Sequence, residues 1–375
     1  MSSEHNNAIP KFNQCPPTSE KLDYVDLINL DISEFDDPVT RSRLANFLLE
    51  AVTTHGFLTI SNHGIPESLY SSQVDLAHAV LTLPAETKRL YEAKPEQDAR
   101  ACYVGFKHSG AQRSKVGFHQ TLDHYNILAN DPDNHEHPAI LRPHLDQINE
   151  IMNHLRHKIL RKLLILVSII LEVPEERILA THASGADTSS EYLRYLLYNP
   201  RPADDTGQYR DLWLGGHTDL GSFTFLFSQP ISALQIRTLA GEWKWVRYLP
   251  GTLVVNVGEA LELLTGGLFR ATVHRVVRPP KDQERAKRLG IIYFARPNDG
   301  QKLAPIESPL LRKLGIDRPL DEKVYTMSQY LYARKNGYKR IDFDQDRPRK
   351  EGYHTDPLHG KHMNSQYSHG PVVTT

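Results

Sequence analysis

From Glu191 to Arg296 the chain is a series of short segments in which apolar and polar residues alternate: "YLRYLLYN", "GHTDLGSFTFLFS", "LQIRT", "WKWVRYL", "TLVVNVG", "TVHRVVR" and "RLGIIYFAR", separated by Gly, Pro, Asn and Asp. A period of two puts successive side chains on opposite faces of a strand. Several such strands, divided by turn formers, predict an antiparallel sandwich or barrel. The flanking sequence has a different period. "PVTRSRLANFLLEAVTTHG", Pro38 to Gly56, has helical spacing with a glycine to stop it, between the alternating stretches "YVDLINLDI" and "FLTISNHGI". Further helical segments are read at Pro66 to Tyr91, Pro143 to Glu172, Glu175 to His182 and Ser328 to Asn336. The expected fold is mainly β with flanking helices. A flexible, proline-containing arm covers residues 1–23, a mixed helical region packs on the core over 24–190, the β core spans 191–300, and a helical segment with a polar tail occupies 301–375. Between Ala99 and Pro138 there is little periodicity, and a long irregular stretch bordering a binding site is expected there.

Composition narrows the functional classes. The 375 residues are 39% hydrophobic, enough for a large buried core, and the formal charge of -1 comes from interspersed acidic and basic residues. Without a field of one sign, nucleic acid and anionic membranes are not expected partners. The longest apolar run, Leu163 to Leu171, is interrupted only by Ser168 and closed by Lys162 and Glu172. It falls well short of the roughly 20 residues of a membrane span and reads as a buried core helix. Cys15 and Cys102 are the only cysteines, and "MSSEHNNAIPKFNQ" lacks a signal peptide's basic start and apolar centre. A cytoplasmic protein is expected.

Within the β block, His217 and Asp219 lie two apart in "GGHTDLGSFTFLF" and so share a strand face, with Thr218 on the other. An imidazole and a carboxylate facing inward must be paired, hydrogen-bonded or coordinated. One reading is a structural His–Asp hydrogen bond. His274, in another alternating segment, offers a second: two histidines and one carboxylate form the set that binds non-haem ferrous iron and leaves the opposite positions open. By the same phase, Phe223, Phe225 and Phe227 are expected on the inner wall where no bulge intervenes, the alternative being that they face the helices outside, with Phe223 a candidate substrate contact. "RLGIIYFAR" places Arg288, Gly290, Ile292 and Phe294 on one side, so a guanidinium heads an apolar face. It calls for a carboxylate that it can grip through two parallel hydrogen bonds. The alternative is an exposed strand-end arginine beside Lys287 and Arg285.

The order of these parts resembles the iron(II)- and 2-oxoglutarate-dependent dioxygenases of the isopenicillin N synthase-like group. The resemblance rests on "HTD" at 217–219, "ALQI" at 233–236, "EWKWVRYLPGTLVVNVGEALELLTGG" at 242–267, "HRVV" at 274–277 and "RLG" at 288–290. "GFLTISNHGIP" at 56–66 and "LTLPAETKRLY" extend it into the N-terminal half. It implies a distorted jelly-roll, the double-stranded β-helix, with His217, Asp219 and His274 as iron ligands and Arg288 gripping the distal carboxylate of 2-oxoglutarate. Tyr198 is expected to donate a hydrogen bond to the same cosubstrate, although a core tyrosine would look the same in sequence. The implied reaction consumes 2-oxoglutarate and dioxygen, releases succinate and CO2, and oxidises an unactivated C–H of a small organic molecule of specialised metabolism by hydroxylation, desaturation or ring formation. Tyr103, Phe106, His119 and His124 fall in segments resembling those that border the substrate. The sequence departs from the family at Gly290, where serine is usual, at Ala233, where glycine is common, and at Leu196, where many members have asparagine. These departures leave open an oxidase of the same family that does without 2-oxoglutarate. A zinc-dependent hydrolase on the same triad and a binding protein on a disabled scaffold are two more readings that the residues allow.

Overall fold

The structure is a computed structural model that describes residues 9–93, 104–107, 122–129, 135–182, 189–200, 211–319 and 324–337. The elements in chain order are β1 (Asn29–Asp31), α1 (Pro38–Thr54), β2 (Phe57–Ser61), α2 (Glu67–Leu81), α3 (Ala85–Leu90), β3 (Gly105–Lys107), β4 (Leu122–Leu128), α4 (Leu145–His154), α5 (Arg161–Ile170), α6 (Glu175–Leu179) and β5 (Tyr192–Tyr198). They continue with β6 (Leu212–His217), β7 (Phe223–Phe227), β8 (Leu234–Arg237), β9 (Trp243–Trp245), β10 (Leu253–Val257), α7 (Glu259–Leu264), β11 (His274–Val277), β12 (Arg288–Phe294), α8 (Pro309–Lys313) and α9 (Met327–Gly337).

Two sheets result, one ordered β1-β2-β10-β7-β12-β5-β4-β3 and the other β6-β11-β8-β9. From β5 onward the chain passes back and forth between them, and every named strand pair is antiparallel except β1 with β2. This is the double-stranded β-helix expected from the sequence. Strands β1 and β2 lengthen the larger sheet at one edge and β4 and β3 at the other, so the described N-terminal elements belong to the sheet as well as to its cover.

Local chemistry explains the helical cover. α1 starts where the Asp37 carboxylate accepts the Thr40 N–H at 2.7 Å and Pro38 occupies the first turn, where its missing N–H costs nothing. Its Leu44, Leu48, Ala51 and Val52 form one buried stripe. The helix ends at Gly56, φ +65°, where a Cβ would stand 2.2 Å from the Arg270 carbonyl, so only glycine lets β2 follow so closely. The apolar run from Leu163 makes up most of α5, the expected buried helix, with Leu171 as its C-cap, and a π-helical turn over Leu155–Leu160 joins it to α4. Among the described residues no helix is long and apolar enough to cross a membrane. The main core lies between this cover and the outer face of the larger sheet. It joins Val52, Leu76 and Leu166 to Leu193, Phe225 and Tyr293.

Three expectations need correction. The proline-containing arm, expected to be flexible, is held over residues 9–23: Asp75 accepts the Phe12 N–H at 2.7 Å, Gln283 donates to the Pro16 carbonyl at 2.7 Å, and Asp282 accepts from Thr18 and Ser19. The stretch from Ala99 to Pro138, read as irregular, contains β3 and β4. Side chains on both faces of β4 are covered, which removes the alternation that would have marked it. Phe223, Phe225 and Phe227 point outward. Phe227 stacks on Tyr70 of α2 with ring centroids 5.0 Å apart, and all three rings join the helix-covered core. "GHTDLGSFTFLFS" is not one strand: β6 ends in the smaller sheet at His217 and β7 begins in the larger sheet at Phe223. Crossing between sheets reverses which parity faces inward, so Thr224 and Leu226 line the interior and Phe223 is no substrate contact.

Phe225→Ala is therefore expected to cost about 3–5 kcal/mol of folding stability through the cavity it leaves while metal affinity is unchanged. Urea unfolding and metal titration of the variant check both. A small stability loss with impaired metal or substrate binding would return the ring to the interior.

Candidate metal centre

His217 ends β6 and His274 begins β11, directly opposite one another in the antiparallel pair. Their ring centroids are 4.2 Å apart. Nδ1 of His217 faces the Gly215 carbonyl at 2.9 Å, and Nδ1 of His274 faces the Thr272 carbonyl at 3.1 Å. A carbonyl oxygen can only accept, so each Nδ1 carries the proton and each Nε2 presents its lone pair. Both Nε2 atoms turn toward Asp219, at 3.9 Å from Oδ1 and 3.9 Å from Oδ2 respectively. That is too long for a hydrogen bond, which disposes of the structural His–Asp pair. The ligand atoms of the three residues all lie within 4.8 Å of one another, leaving room for one ion between them. Among the described residues this is the only such group found.

Asp219 is 8% exposed. Burial acts to raise its pKa, but the positive charge that His274 and His217 carry when protonated, with hydrogen bonds from Asn256 and Thr224, outweighs it and holds the carboxyl below the usual carboxylate range in the metal-free site. Asn256 Nδ2 donates to Oδ2 at 2.8 Å, and the Glu259 N–H donates to the Asp219 carbonyl at 2.7 Å. The aspartate is thus oriented from β10 and α7 before any ion arrives. The Phe57 ring, from β2, and the His274 imidazole pack edge to face with centroids 5.4 Å apart.

Thr218 points away from the triad, as expected for the residue between. Its hydroxyl donates to the buried Glu259 carboxylate, which also accepts from the Tyr330 hydroxyl and pairs with Arg334 at 2.8 Å. α9 is therefore tied to the turn that carries Asp219. Nothing in the helical spacing of α9 indicates this, because the contact depends on where α7 stands.

Arg288 begins β12 in the larger sheet, 3% exposed, with its guanidinium over the Tyr198 ring 5.3 Å from the centroid. The two residues are direct partners between β12 and β5, and Tyr198 stacks in turn on Trp213. Burial lowers the arginine's pKa from its ordinary value and the Tyr198 hydroxyl opposes that shift; the group stays charged. Among the described residues no carboxylate pairs with it, and its Nε is buried without a partner. A buried cation with no carboxylate opposite it is costly. A carboxylate from outside the protein fits it, so the exposed strand-end reading is overturned.

The other candidate contacts divide. His124 lies opposite Leu196, on the inner face and half-buried. Phe106 does not: it packs on Tyr125 with centroids 4.6 Å apart, under the Lys88 ammonium and among the helix-facing core. The cause is again strand phase, since Phe106 pairs with Tyr125 and Tyr125 with Tyr195, whose hydroxyl donates to Gln73 of α2. Tyr103 and His119 lie outside the described residues.

Comparison with known proteins agrees with this geometry. Residues 189–297 match the 2OG-Fe(II) oxygenase superfamily, and residues 25–152 match the N-terminal region of the non-haem dioxygenases in morphine synthesis. The chain is similar to a homoarginine-6-hydroxylase of Oryza sativa subsp. japonica, 24% identical over 298 residues, covering 74% of this chain and 86% of the relative. It is 25% identical to scopoletin 8-hydroxylase of Arabidopsis thaliana over 349 residues, 92% of this chain and 91% of the relative. Its fold is that of a full-length Neurospora crassa protein whose crystal structure was solved in complex with alpha-KG, with a TM-score of 0.69 at 22% identity, covering 84% of this chain and 99% of the other.

Asn256→Ala should weaken binding of a divalent ion roughly 10- to 100-fold by releasing the Asp219 carboxylate, with little change in unfolding temperature. Titration with Mn(II), followed by the loss of its free-ion electron resonance signal, measures this.

Proposed function

Because the chain belongs to the 2OG-Fe(II) oxygenase superfamily, we propose that it is an Fe(II)- and 2-oxoglutarate-dependent oxygenase that oxidises a C–H bond of a small organic molecule. Its iron ligands in this reading are His217 Nε2, Asp219 Oδ and His274 Nε2. Three protein ligands leave positions for a chelating 2-oxo acid and for dioxygen. The observation that carries the reading is the pairing of two unfinished sites in one interior: a His–Asp–His set with 3.9 Å gaps and a buried arginine lacking a carboxylate.

Bound iron with 2-oxoglutarate and dioxygen supplies the oxidising power, the cosubstrate leaving as succinate and CO2. The chain's own residues supply position and dryness. Arg288 offers parallel N–H groups to the distal carboxylate of the 2-oxo acid and Tyr198 stands beside it with a hydroxyl. Asn256 and the Glu259 N–H hold Asp219, and Phe57 holds the His274 ring. Leu196, Trp213 and Val276 form an apolar wall around Tyr198 that keeps bulk water from the arginine. His124 is the described inner-face residue best placed to meet a substrate polar group. An oxidase without 2-oxoglutarate, or a zinc hydrolase, would leave the buried charge of Arg288 without a purpose. The hydroxylase relatives named for homoarginine and scopoletin support a small-molecule substrate, in keeping with specialised metabolism. We place the reaction in the cytosol, where reducing conditions also keep iron ferrous.

Adding Fe(II) and then 2-oxoglutarate without oxygen should produce the weak visible charge-transfer band of the chelate. Arg288→Ala should raise the 2-oxoglutarate concentration needed by roughly 10- to 100-fold at unchanged iron affinity. No band from the wild type, or an Arg288→Ala variant that titrates like it, contradicts the reading.

A further inference from the structure

Next to Arg288 on the inner face of β12 stands Gly290, opposite Leu196 as Arg288 is opposite Tyr198. A Cβ built on Gly290 would meet Gln229 Nε2 at 2.9 Å and the Cβ and Cδ2 of Leu196 at 3.8 Å. The space where a residue-290 side chain would sit is therefore filled from the loop between β7 and β8 by an amide. Gln229 Nε2 donates to the Leu289 carbonyl. Because that partner can only accept, it fixes which end of the amide is nitrogen. One of the two N–H groups is used, and the other is left for a further acceptor. The amide's Oε1 is buried and, among the described residues, has no partner, as is true of Arg288 Nε. Two orphaned buried atoms on neighbouring side chains are unusual in a finished interior and indicate an occupant that completes them.

We propose that Gln229 is a direct contact of the cosubstrate's distal carboxylate, donating its second amide N–H beside Arg288. The inference rests on the reading that Arg288 anchors 2-oxoglutarate. Gly290 then has a positive role. It clears the slot the amide occupies, and any Cβ there would push the flexible end of Gln229 aside. The hydrogen bond that family members take from a serine on the strand is taken here from a neighbouring loop. An ordered water on the carboxylate can supply Oε1 with the donor it lacks.

The test is anaerobic titration of the full-length Fe(II)-loaded protein with 2-oxoglutarate, read by the charge-transfer band, with iron affinity and unfolding temperature measured on the same samples. Gln229→Met fills similar volume without the N–H and should weaken 2-oxoglutarate binding roughly 10- to 100-fold at unchanged iron affinity. Gly290→Ala, which only displaces the amide end, should do the same and reads the contact even if Gln229→Met fails to fold. The double variant Gln229→Ala with Gly290→Ser puts a hydroxyl into the vacated slot and should bind more tightly than either single variant. Wild-type affinity in Gly290→Ala, or a double variant weaker than both singles, overturns the role of Gln229 while leaving the Arg288 reading intact. Absence of any band in the wild type overturns that reading and the proposal with it.

Discussion

Two imidazoles and a carboxylate held close, yet at 3.9 Å too far apart to satisfy one another, are the constraint on which the rest of this structure depends. Each Nδ1 is tied to a backbone carbonyl, so neither ring can turn its protonated nitrogen to the acid. The carboxylate is fixed from behind by Asn256 and Thr224, so it cannot collapse onto either ring. A buried polar group normally finds a partner within the protein. Here the protein prevents that pairing and keeps a gap with three converging lone-pair donors.

The fold makes this arrangement possible because its strands change sheets. His217 and His274 come from adjacent strands of the smaller sheet, whereas Thr224 and Asn256 stand on the facing wall. The turn Thr218 to Ser222 carries Asp219 across between them. Elements distant in sequence hold the site in place: Phe57 from β2 packs on His274, and Tyr330 and Arg334 from α9 hold the turn through Glu259 and Thr218. Arg288, at the start of β12, faces the interior from the larger sheet, so a molecule with a 2-oxo acid at one end and a carboxylate at the other matches the chemistry of both sites.

Much of this is legible in the sequence. A period of two survives wherever one face of a strand meets the interior, and it places Arg288, Gly290 and Ile292 together correctly. The spacing of His217 and Asp219 correctly implies a shared direction. What fails is extrapolation of phase past Asp219: the chain leaves one sheet and enters the other within four residues, and Phe223, Phe225 and Phe227 end up facing helices. Phe106 fails for a related reason, since its direction is inherited from Tyr125 and Tyr195 across two strand pairings. β4 escapes notice because both its faces are covered. The roles of Gln229, Tyr330 and Arg334 depend on loop and helix placement that no local period encodes. In sequence Gly290 is only a missing hydroxyl, whereas in the fold an amide fills its place.

The most direct measurement is anomalous diffraction from crystals grown without oxygen and soaked with Mn(II) and 2-oxoglutarate. One ion bound by His217 Nε2, Asp219 and His274 Nε2, with the far carboxylate of the 2-oxo acid on the Arg288 guanidinium, is the predicted result. An ion bound elsewhere, or a 2-oxo acid that leaves Arg288 unpaired, would contradict it.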